Sequence, residues 1–284
     1  MSIKLTYKNQ YGTVEMNGGG EHPIRITDIR GLGAVEREYT AVSYAGCDGQ
    51  ETVSSRALPR SITVSGDICA ESAEDELRRI IGVLCREGYL TVADGGMCCR
   101  IYCNQTVFPD AERILRGRIT SFAVQFVCDD PYFGDAEEIS QPLYTRKKNL
   151  KTVFTLPRPF GMVTNGETVT NLGLREAEPI IRIYTPQSST GEESIIITNE
   201  TTSKYIKLTM QCTEGDTITI DVKRRTAVSE KLGSLEDKLS DDTFLGDFVL
   251  IGGKNRITVQ IGDASRDAVC ECVWTNRYDS AAVV

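Results

Sequence analysis

The segment Arg118 to Gly134 constrains the fold most, because it contains a long strand that must end abruptly. Its first part, I-T-S-F-A-V-Q-F-V-C, is rich in β-branched and aromatic residues, whereas the D-D-P-Y-F-G that follows is typical of a turn. Side chains alternate along a strand, so Phe122, Val124 and Phe126 are expected to share one buried face. Pro131 cannot donate a ladder hydrogen bond. We therefore predict that this strand closes a first domain and leads into a hinge.

One helix is predicted in this first domain, at residues 73–87. Ser72 is the expected N-cap, acidic residues follow it in the first turn, and Gly88 is the expected left-handed residue after the helix. Apolar residues recur with helical spacing from Leu77 to Cys85. Strands are predicted at residues 3–7, 24–32, 61–68, 89–93, 98–108 and 119–128. These elements predict an antiparallel sheet or split barrel with one helix, over residues 1–132.

The second half of the chain has a mainly β pattern. Short strands are predicted at residues 168–172, 179–184, 194–198, 205–210, 217–222, 247–251, 256–261 and 268–275. Their regular spacing, without a helix signal, favours a β-sandwich or jelly roll over residues 166–284. Between the two domains, residues 133–165 contain three prolines and the basic run Arg146-Lys147-Lys148, and we predict that they form a linker.

Composition excludes several classes of protein. The chain has 284 residues and a formal net charge of −8, which argues against binding nucleic acid by phosphate neutralisation. No apolar run approaches the roughly 18 residues that a membrane helix needs, and the N-terminus lacks a secretory h-region. We expect neither a nucleic-acid nor a membrane partner, and assembly in a cytoplasm.

The sequence offers little for catalysis. Its one histidine, His22, precedes Pro23 in a glycine-rich segment and is expected on a surface turn. Acidic clusters at residues 74–76, 236–237 and 241–242 are expected in solvent, whereas a glycosidase needs two carboxylates at a set separation across a cleft. Nucleophile-elbow, metalloprotease and phosphate-loop motifs are absent. We predict no catalytic residue, no cofactor and no enzymatic activity, with a glycan hydrolase as the main rival.

Ten cysteines are many for such a chain. Without a secretory signal they are expected to be reduced and to behave as small buried apolar residues. Cys98, Cys99 and Cys103 are close in sequence, but no paired C-x-x-C motif accompanies them. A structural zinc site is therefore only the minor alternative, and no metal ligand is predicted.

Four motifs occur in a recognisable order in the second half. They are T-N-L-G with E-P-I-I-R-I (170–183), I-T-N-E-T-T-S-K-Y-I-K-L (197–208), G-D-T-I-T-I-D (215–221) and F-V-L-I-G-G-K-N-R-I-T-V (248–259). Together with the aromatic strand ending in D-D-P-Y-F, this order resembles the distal tail proteins (Dit) of long-tailed bacteriophages, over about residues 20–260. Two positions depart from the family pattern: Ser203 replaces a usual glycine, and Gly252-Gly253 replaces a proline-glycine pair.

The resemblance implies a structural role in the virion. Such proteins form a hexameric ring that joins the tail tube to the baseplate hub, and they carry a galectin-like C-terminal domain. The implied partners are other copies of the chain, a tail tube protein, a tail hub or tip protein, and a receptor-binding protein or host glycan. The implied location is the tail tip or baseplate, after assembly in the host cytoplasm. The long polar segment Gly33 to Pro59 is the candidate for reaching onto the next subunit, since loops of this length are usually functional.

A carbohydrate-binding module of the tail tip is the alternative function. Sugar sites commonly present Trp or Tyr platforms, because these amphipathic rings stack on the faces of sugars. The candidates in the second domain are Trp274, Tyr184 and Tyr205, although Trp274 is the single tryptophan and core packing is its default. The sequence does not show that these three side chains converge.

Overall fold

A computed structural model describes residues 3–16, 23–108, 118–147, 162–262 and 267–281. The chain divides into two compact units. Unit 1 consists of Met1–Ala136 together with Tyr278–Val284, and unit 2 consists of Glu137–Arg277. Within the described ranges, no helix is long and apolar enough to cross a membrane.

Unit 1 is built from antiparallel sheets and one α-helix. Its elements are β1 (Lys4–Asn9), β2 (Gly12–Met16), β3 (Ile24–Arg30), β4 (Arg37–Val42), β5 (Glu51–Ala57), β6 (Arg60–Cys69), α1 (Ala73–Leu84), β7 (Gly88–Asp94), β8 (Met97–Cys103), β9 (Gln105–Val107), β10 (Ile119–Cys128) and β11 (Phe133–Asp135). One sheet has the order β2-β1-β7-β8-β11, a second has the order β3-β6-β10-β9, and β4 and β5 pair only with each other.

Strand alternation builds the core of unit 1. Every second residue of β10 is buried, including Phe122, Val124 and Phe126, and β6 alternates in the same way. The Phe126 ring stacks on the Tyr7 ring of the other sheet, with centroids 5.1 Å apart. The predicted buried face of this strand is confirmed.

Helix α1 packs on the same core but ends differently from the prediction. It stops at Leu84, and Cys85 closes it with a backbone hydrogen bond to Ile81. Gly88 is buried at the start of β7 and is not a left-handed cap. The Ser72 hydroxyl donates to the Asp75 carboxylate at 2.6 Å and makes no cap to the helix backbone. Helix propensity predicted the element, whereas tertiary pairing of the next strand decided where it ended.

Unit 2 consists of two antiparallel sheets that share one hydrophobic cluster. Its strands are β12 (Ile139–Lys147), β13 (Met162–Thr164), β14 (Gly166–Asn171), β15 (Ile180–Thr185), β16 (Glu193–Asn199), β17 (Lys204–Met210), β18 (Asp216–Asp221), β19 (Thr226–Ser229), β20 (Gly233–Ser234), β21 (Gly253–Ile261) and β22 (Ala268–Trp274). The sheet orders are β13-β12-β22-β15-β18-β19-β20 and β14-β21-β16-β17. Both contribute side chains to the cluster, as expected for a β-sandwich. The predicted mainly β fold with one helix is confirmed for the described residues.

The segment predicted as a linker over residues 133–165 is more structured than expected. Its residues 133–135 form β11 in unit 1, and its residues 139–147 form β12, which lies between β13 and β22 in unit 2. Pro142 fits in β12 because the register shifts between Pro142 and Tyr144, and a bulge removes the need for a ladder donor. Counting prolines therefore overestimated the length of the connection.

The chain returns to unit 1 at its C-terminal end, which the predicted division 166–284 did not anticipate. The short strand β23 (Arg277–Tyr278) lies next to β11 in the first sheet. Tyr278 donates from its hydroxyl to the Asp135 carboxylate at 2.9 Å. Ala281 is buried in the core of unit 1. Unit 1 is thus assembled from two stretches of sequence.

Candidate self-association site

A two-stranded hairpin, which we call the arm, projects from unit 1 between Arg37 and Ala57. Strands β4 and β5 pair antiparallel with one register shift after Thr40, and the Leu58 amide closes the base by donating to the Glu36 carbonyl at 2.9 Å. The sequence predicted no hairpin in the polar segment Gly33 to Pro59, which contains the arm. It forms a hairpin instead, because the strands satisfy each other's backbone groups.

The arm has no core of its own. Every residue from 38 to 56 is exposed. Its exposed apolar or aromatic side chains include Tyr39 at 61%, Tyr44 at 58% and Val53 at 64%. Its internal side-chain contacts are polar, such as the Arg56–Glu38 ion pair at 2.6 Å. An isolated hairpin is marginally stable in water, and exposed aromatic residues are enriched in protein interfaces. The arm therefore has the character of a segment that packs on another protein surface.

A buried arginine holds the root of the arm. Arg60 is only 6% exposed, and it donates hydrogen bonds to the backbone carbonyls of Gly31, Gly33, Pro131 and Asp279. Its guanidinium also lies 4.8 Å from the centre of the Phe133 ring. Burial lowers the pKa of Arg60, yet an arginine stays charged at any physiological pH. One cation thus fixes three separate chain segments at the point where the arm begins.

The C-terminal segment completes this root. The Leu32 carbonyl accepts hydrogen bonds from the Ala281 amide at 3.0 Å and from the Ser280 hydroxyl at 2.8 Å. Gly31 has φ +90°, and a Cβ atom there would lie 2.1 Å from the Ser61 carbonyl oxygen. Only glycine fits that close approach. The backbone that leads into the arm is therefore fixed by the C-terminal segment at Leu32 and by the close approach of Ser61 at Gly31.

Sequence reasoning missed Arg60. An arginine between Pro59 and a strand looks like an ordinary surface residue, and its partners lie up to 219 residues away in the sequence. The available signal was indirect: Arg60 occupies the strand position that continues the buried alternation of Ile62, Val64 and Gly66. A charged side chain on a buried strand face needs hydrogen-bond or ion-pair partners, because burying an unpaired charge is costly in free energy.

The residues considered for chemistry are not brought together. Cys98 is exposed, while Cys99 and Cys103 are buried, and within the part of the chain that is described no group of three or more His, Cys, Asp or Glu residues could hold a metal ion. His22 lies outside the described residues. The acidic clusters lie in the first turn of α1 and on exposed segments of unit 2. In α1, Asp75 pairs with Arg78 at 3.0 Å.

The aromatic candidates for sugar binding are also separated. Trp274 is 4% exposed and donates from its indole nitrogen to Asn276 at 3.2 Å. Tyr184 and Tyr205 are partly exposed but lie on different sheets of unit 2, in β15 and β17. An open cleft of about 580 Å³ in unit 2 is lined by Gln211, Asp237 and nine other described residues, and none of these eleven is aromatic. These tyrosines and the tryptophan do not form a joint platform.

Three of the four motifs in the second half each contain a buried asparagine. Asn171 donates to the Arg175 and Leu250 carbonyls, Asn199 donates to the Val249 carbonyl, and Asn255 both donates to and accepts from Ile251. Their amides satisfy the backbone of residues 249–251. This segment was predicted as a strand, but it makes only one isolated bridge, so that prediction was wrong. Side-chain amides replace a ladder here.

The motifs lie in the part of the chain that matches a known family. Residues 172–278 match the family model described as Siphovirus-type tail component, C-terminal domain. A search of curated proteins finds no match.

Two solved structures share the fold of the whole chain. One is the crystal structure of SPP1 Dit (gp 19.1), described as a paradigm of the hub adsorption apparatus in phages that infect Gram-positive bacteria. The TM-score is 0.64 at 16% identity, over 98% of this chain and 99% of that one. The other is a chain of the phage P2 baseplate in its activated conformation with Ca, with a TM-score of 0.51 at 10% identity, over 96% and 98% of the two chains. The resemblance to the distal tail proteins is confirmed: residues 172–278 match the model of the siphovirus-type tail component C-terminal domain, and the whole chain shares the fold of SPP1 Dit.

Proposed function

We propose that this protein forms a hexameric ring that connects the tail tube to the baseplate hub. In this role it contacts a tube protein on one side and a hub protein on the other, and it docks tail-tip or receptor-binding proteins. The family match over residues 172–278 supports a tail component, and the full-length likeness to SPP1 Dit supports the same architecture. The ring, its stoichiometry and its partners are our proposal.

The arm is the observation that carries this proposal. A closed ring needs a heterologous interface, in which one surface of each copy contacts a different surface of the next copy. The arm leaves 19 successive residues, 38 to 56, exposed, and its root is fixed by Arg60. A fixed root and an uncovered tip suit a segment that reaches onto a neighbouring subunit. Packing there would cover Tyr39, Tyr44 and Val53.

Native mass spectrometry of the full chain tests the ring. We expect a hexamer for the wild type. A variant in which residues 38–56 are replaced by Asn-Gly keeps Arg37 and Ala57 opposite each other, as they are in the native hairpin. This variant should be a folded monomer, with unchanged thermal unfolding of unit 2. Leu172→Ser is a suitable control, because Leu172 is 72% exposed in unit 2 and outside the arm. A hexamer that survives removal of the arm would contradict its role in the ring.

We also propose that the protein works by presenting surfaces rather than by catalysis. The acidic side chains considered for hydrolysis lie at a helix start or on exposed segments, and the matched family is a structural tail component. The full-length protein should therefore release no sugar from host cell-wall glycans. Turnover that disappears when one carboxylate is replaced by its amide would favour the hydrolase instead.

A further inference from the structure

Two cysteines of unit 1 are in direct contact. The sulfur atoms of Cys103 and Cys128 are 3.6 Å apart, and both side chains are fully buried. Both thiols are free in the structure. Neither residue lies in the arm, and although Cys128 is opposite Arg60 in the β6–β10 ladder, the proposed ring function does not account for the contact between the two sulfurs.

The backbone holds these two cysteines in place. Cys103 ends β8 in one sheet, and Cys128 ends β10 in the other. Between them, the Asn104 amide donates to the Val127 carbonyl at 2.9 Å, and the Asp129 amide donates to the Asn104 side chain at 3.0 Å. These contacts continue the ladder in which Val127 lies opposite Gln105. The cysteines are diagonal neighbours at the point where the chain passes from one sheet to the other.

We propose that Cys103 and Cys128 are a disulfide-forming pair that cross-links the two sheets of unit 1. The sulfurs are already in contact at 3.6 Å, and a disulfide would bring them to a bond length of about 2 Å. The oxidant is a small-molecule disulfide such as oxidised glutathione. One cysteine thiolate attacks it, releases one glutathione thiol and forms a mixed disulfide. The second cysteine then attacks the mixed disulfide and releases the other glutathione thiol.

Burial controls when this reaction occurs. Hydrogen bonding to Cys128 and burial raise the pKa of the Cys103 thiol far above its ordinary value, so the closed core keeps it protonated. The thiolate is the reactive form. The pair should therefore oxidise during folding or transient opening, and slowly in the intact core. If the chain serves in a virion, as proposed above, the bond would form after the particle leaves the reducing cell.

Peptide mapping of the full chain tests the pair directly. Trypsin releases residues 101–113 and 119–146, each with a single cysteine, so a link between these two peptides identifies the bond without ambiguity. The chain is refolded from urea in a glutathione redox buffer, and the remaining thiols are blocked before digestion. We expect the linked peptide pair and the loss of two of the ten alkylatable thiols. The oxidised form should unfold about 5 °C or more above the reduced form.

Two variants give the controls. Cys128→Ser should lose the linked peptide and the rise in unfolding temperature, whereas Cys270→Ser, a fully buried cysteine of unit 2, should keep both. If Cys128→Ser does not fold, the wild-type map alone decides. Recovery of peptides 101–113 and 119–146 as separate, alkylated species after oxidative refolding would overturn the proposal. A link from Cys103 to any other cysteine would overturn it as well.

Discussion

The Arg60 guanidinium donates a hydrogen bond from Nη2 to the backbone carbonyl of Asp279, 219 residues further along the chain. The same side chain holds the carbonyls of Gly31 and Gly33 at the root of the arm. One side chain therefore binds both the C-terminal segment and the root of the arm. A single substitution at Arg60 therefore disturbs the C-terminal segment and the arm together.

Arg60→Met should destabilise unit 1 strongly. It removes the donor to four backbone carbonyl oxygens, of which that of Pro131 is in a buried hydrogen bond, and we expect this to cost on the order of 3 kcal/mol. Arg60→Lys keeps the charge but cannot reach four acceptors in a plane, so an intermediate loss is expected. Urea unfolding measures both. Arg56→Met is the control, since Arg56 makes an exposed ion pair with Glu38 and should cost about 0.5 kcal/mol or less.

Residues 278–281 should be needed for a stable unit 1. A protein ending at Ala136 lacks the buried Ala281 and the Asp279 carbonyl that Arg60 binds. Joining residues 1–136 to residues 278–284 through a short Gly-Ser linker restores both, because β11 and β23 are neighbours in one sheet. We expect the joined protein to melt several degrees above the truncated one. Equal melting temperatures would show that the C-terminal segment adds no stability.

Ser203→Gly should stabilise unit 2. Ser203 has φ 58°, a left-handed conformation that costs a residue with a side chain about 1 kcal/mol relative to glycine. Glycine is the usual residue here in the family that the sequence resembles. Ser234→Gly makes the same chemical change at an exposed site without positive φ and should destabilise slightly. Chemical denaturation of the two variants gives the comparison. A loss of stability in Ser203→Gly would contradict the role given to its φ angle.

Alkaline pH should weaken unit 2 through its buried thiols. Burial raises the pKa of Cys272 to about 12, with the Glu271 carboxylate adding to the shift. In the unfolded chain the pKa of a cysteine thiol is about 8.5. Between these values the unfolded state has lost the proton and the folded state retains it, so stability falls as pH rises. At pH 10 the loss is up to about 2 kcal/mol for this thiol.

Urea unfolding at pH 8 and pH 10, in the presence of a reductant, measures that loss. Cys272→Ala should reduce the dependence of stability on pH, whereas Cys47→Ala, at an exposed cysteine of the arm, should leave it unchanged. An identical pH dependence in wild type and Cys272→Ala would show that this thiol is not responsible.

The sequence predicted those elements in which one face is buried. Alternation identified β6 and β10, and strands were predicted on both sides of the β7–β8 turn, where Gly95 and Gly96 both have positive φ. The arm was not predicted as a hairpin because both of its faces are exposed. A strand without a buried face has no apolar period to detect.

The remaining errors come from contacts between distant residues. Nothing near residues 249–251 indicates that Asn171 and Asn199, 79 and 50 residues away from their acceptors, donate to this backbone, so an apolar run there looked like a strand. Pro142 looked incompatible with a sheet, although a bulge accommodates it. The root of the arm depends on Arg60 meeting Asp279, and such a pair cannot be found by local pattern.

Because residues 278–281 return to unit 1, unit 2 is in topological terms an insertion between residues 136 and 278. Recombination that exchanges unit 2 between related tails therefore needs two crossovers, one on each side of the insert. A single crossover near residue 136 would also replace the terminal residues that Arg60 and Leu32 bind. A chimera made with one junction would then keep its own residues 1–136 but contain the other protein's C-terminal segment within unit 1. The segment that can be exchanged as a module is therefore the internal unit 2, Glu137–Arg277, and not the whole C-terminal half of the chain.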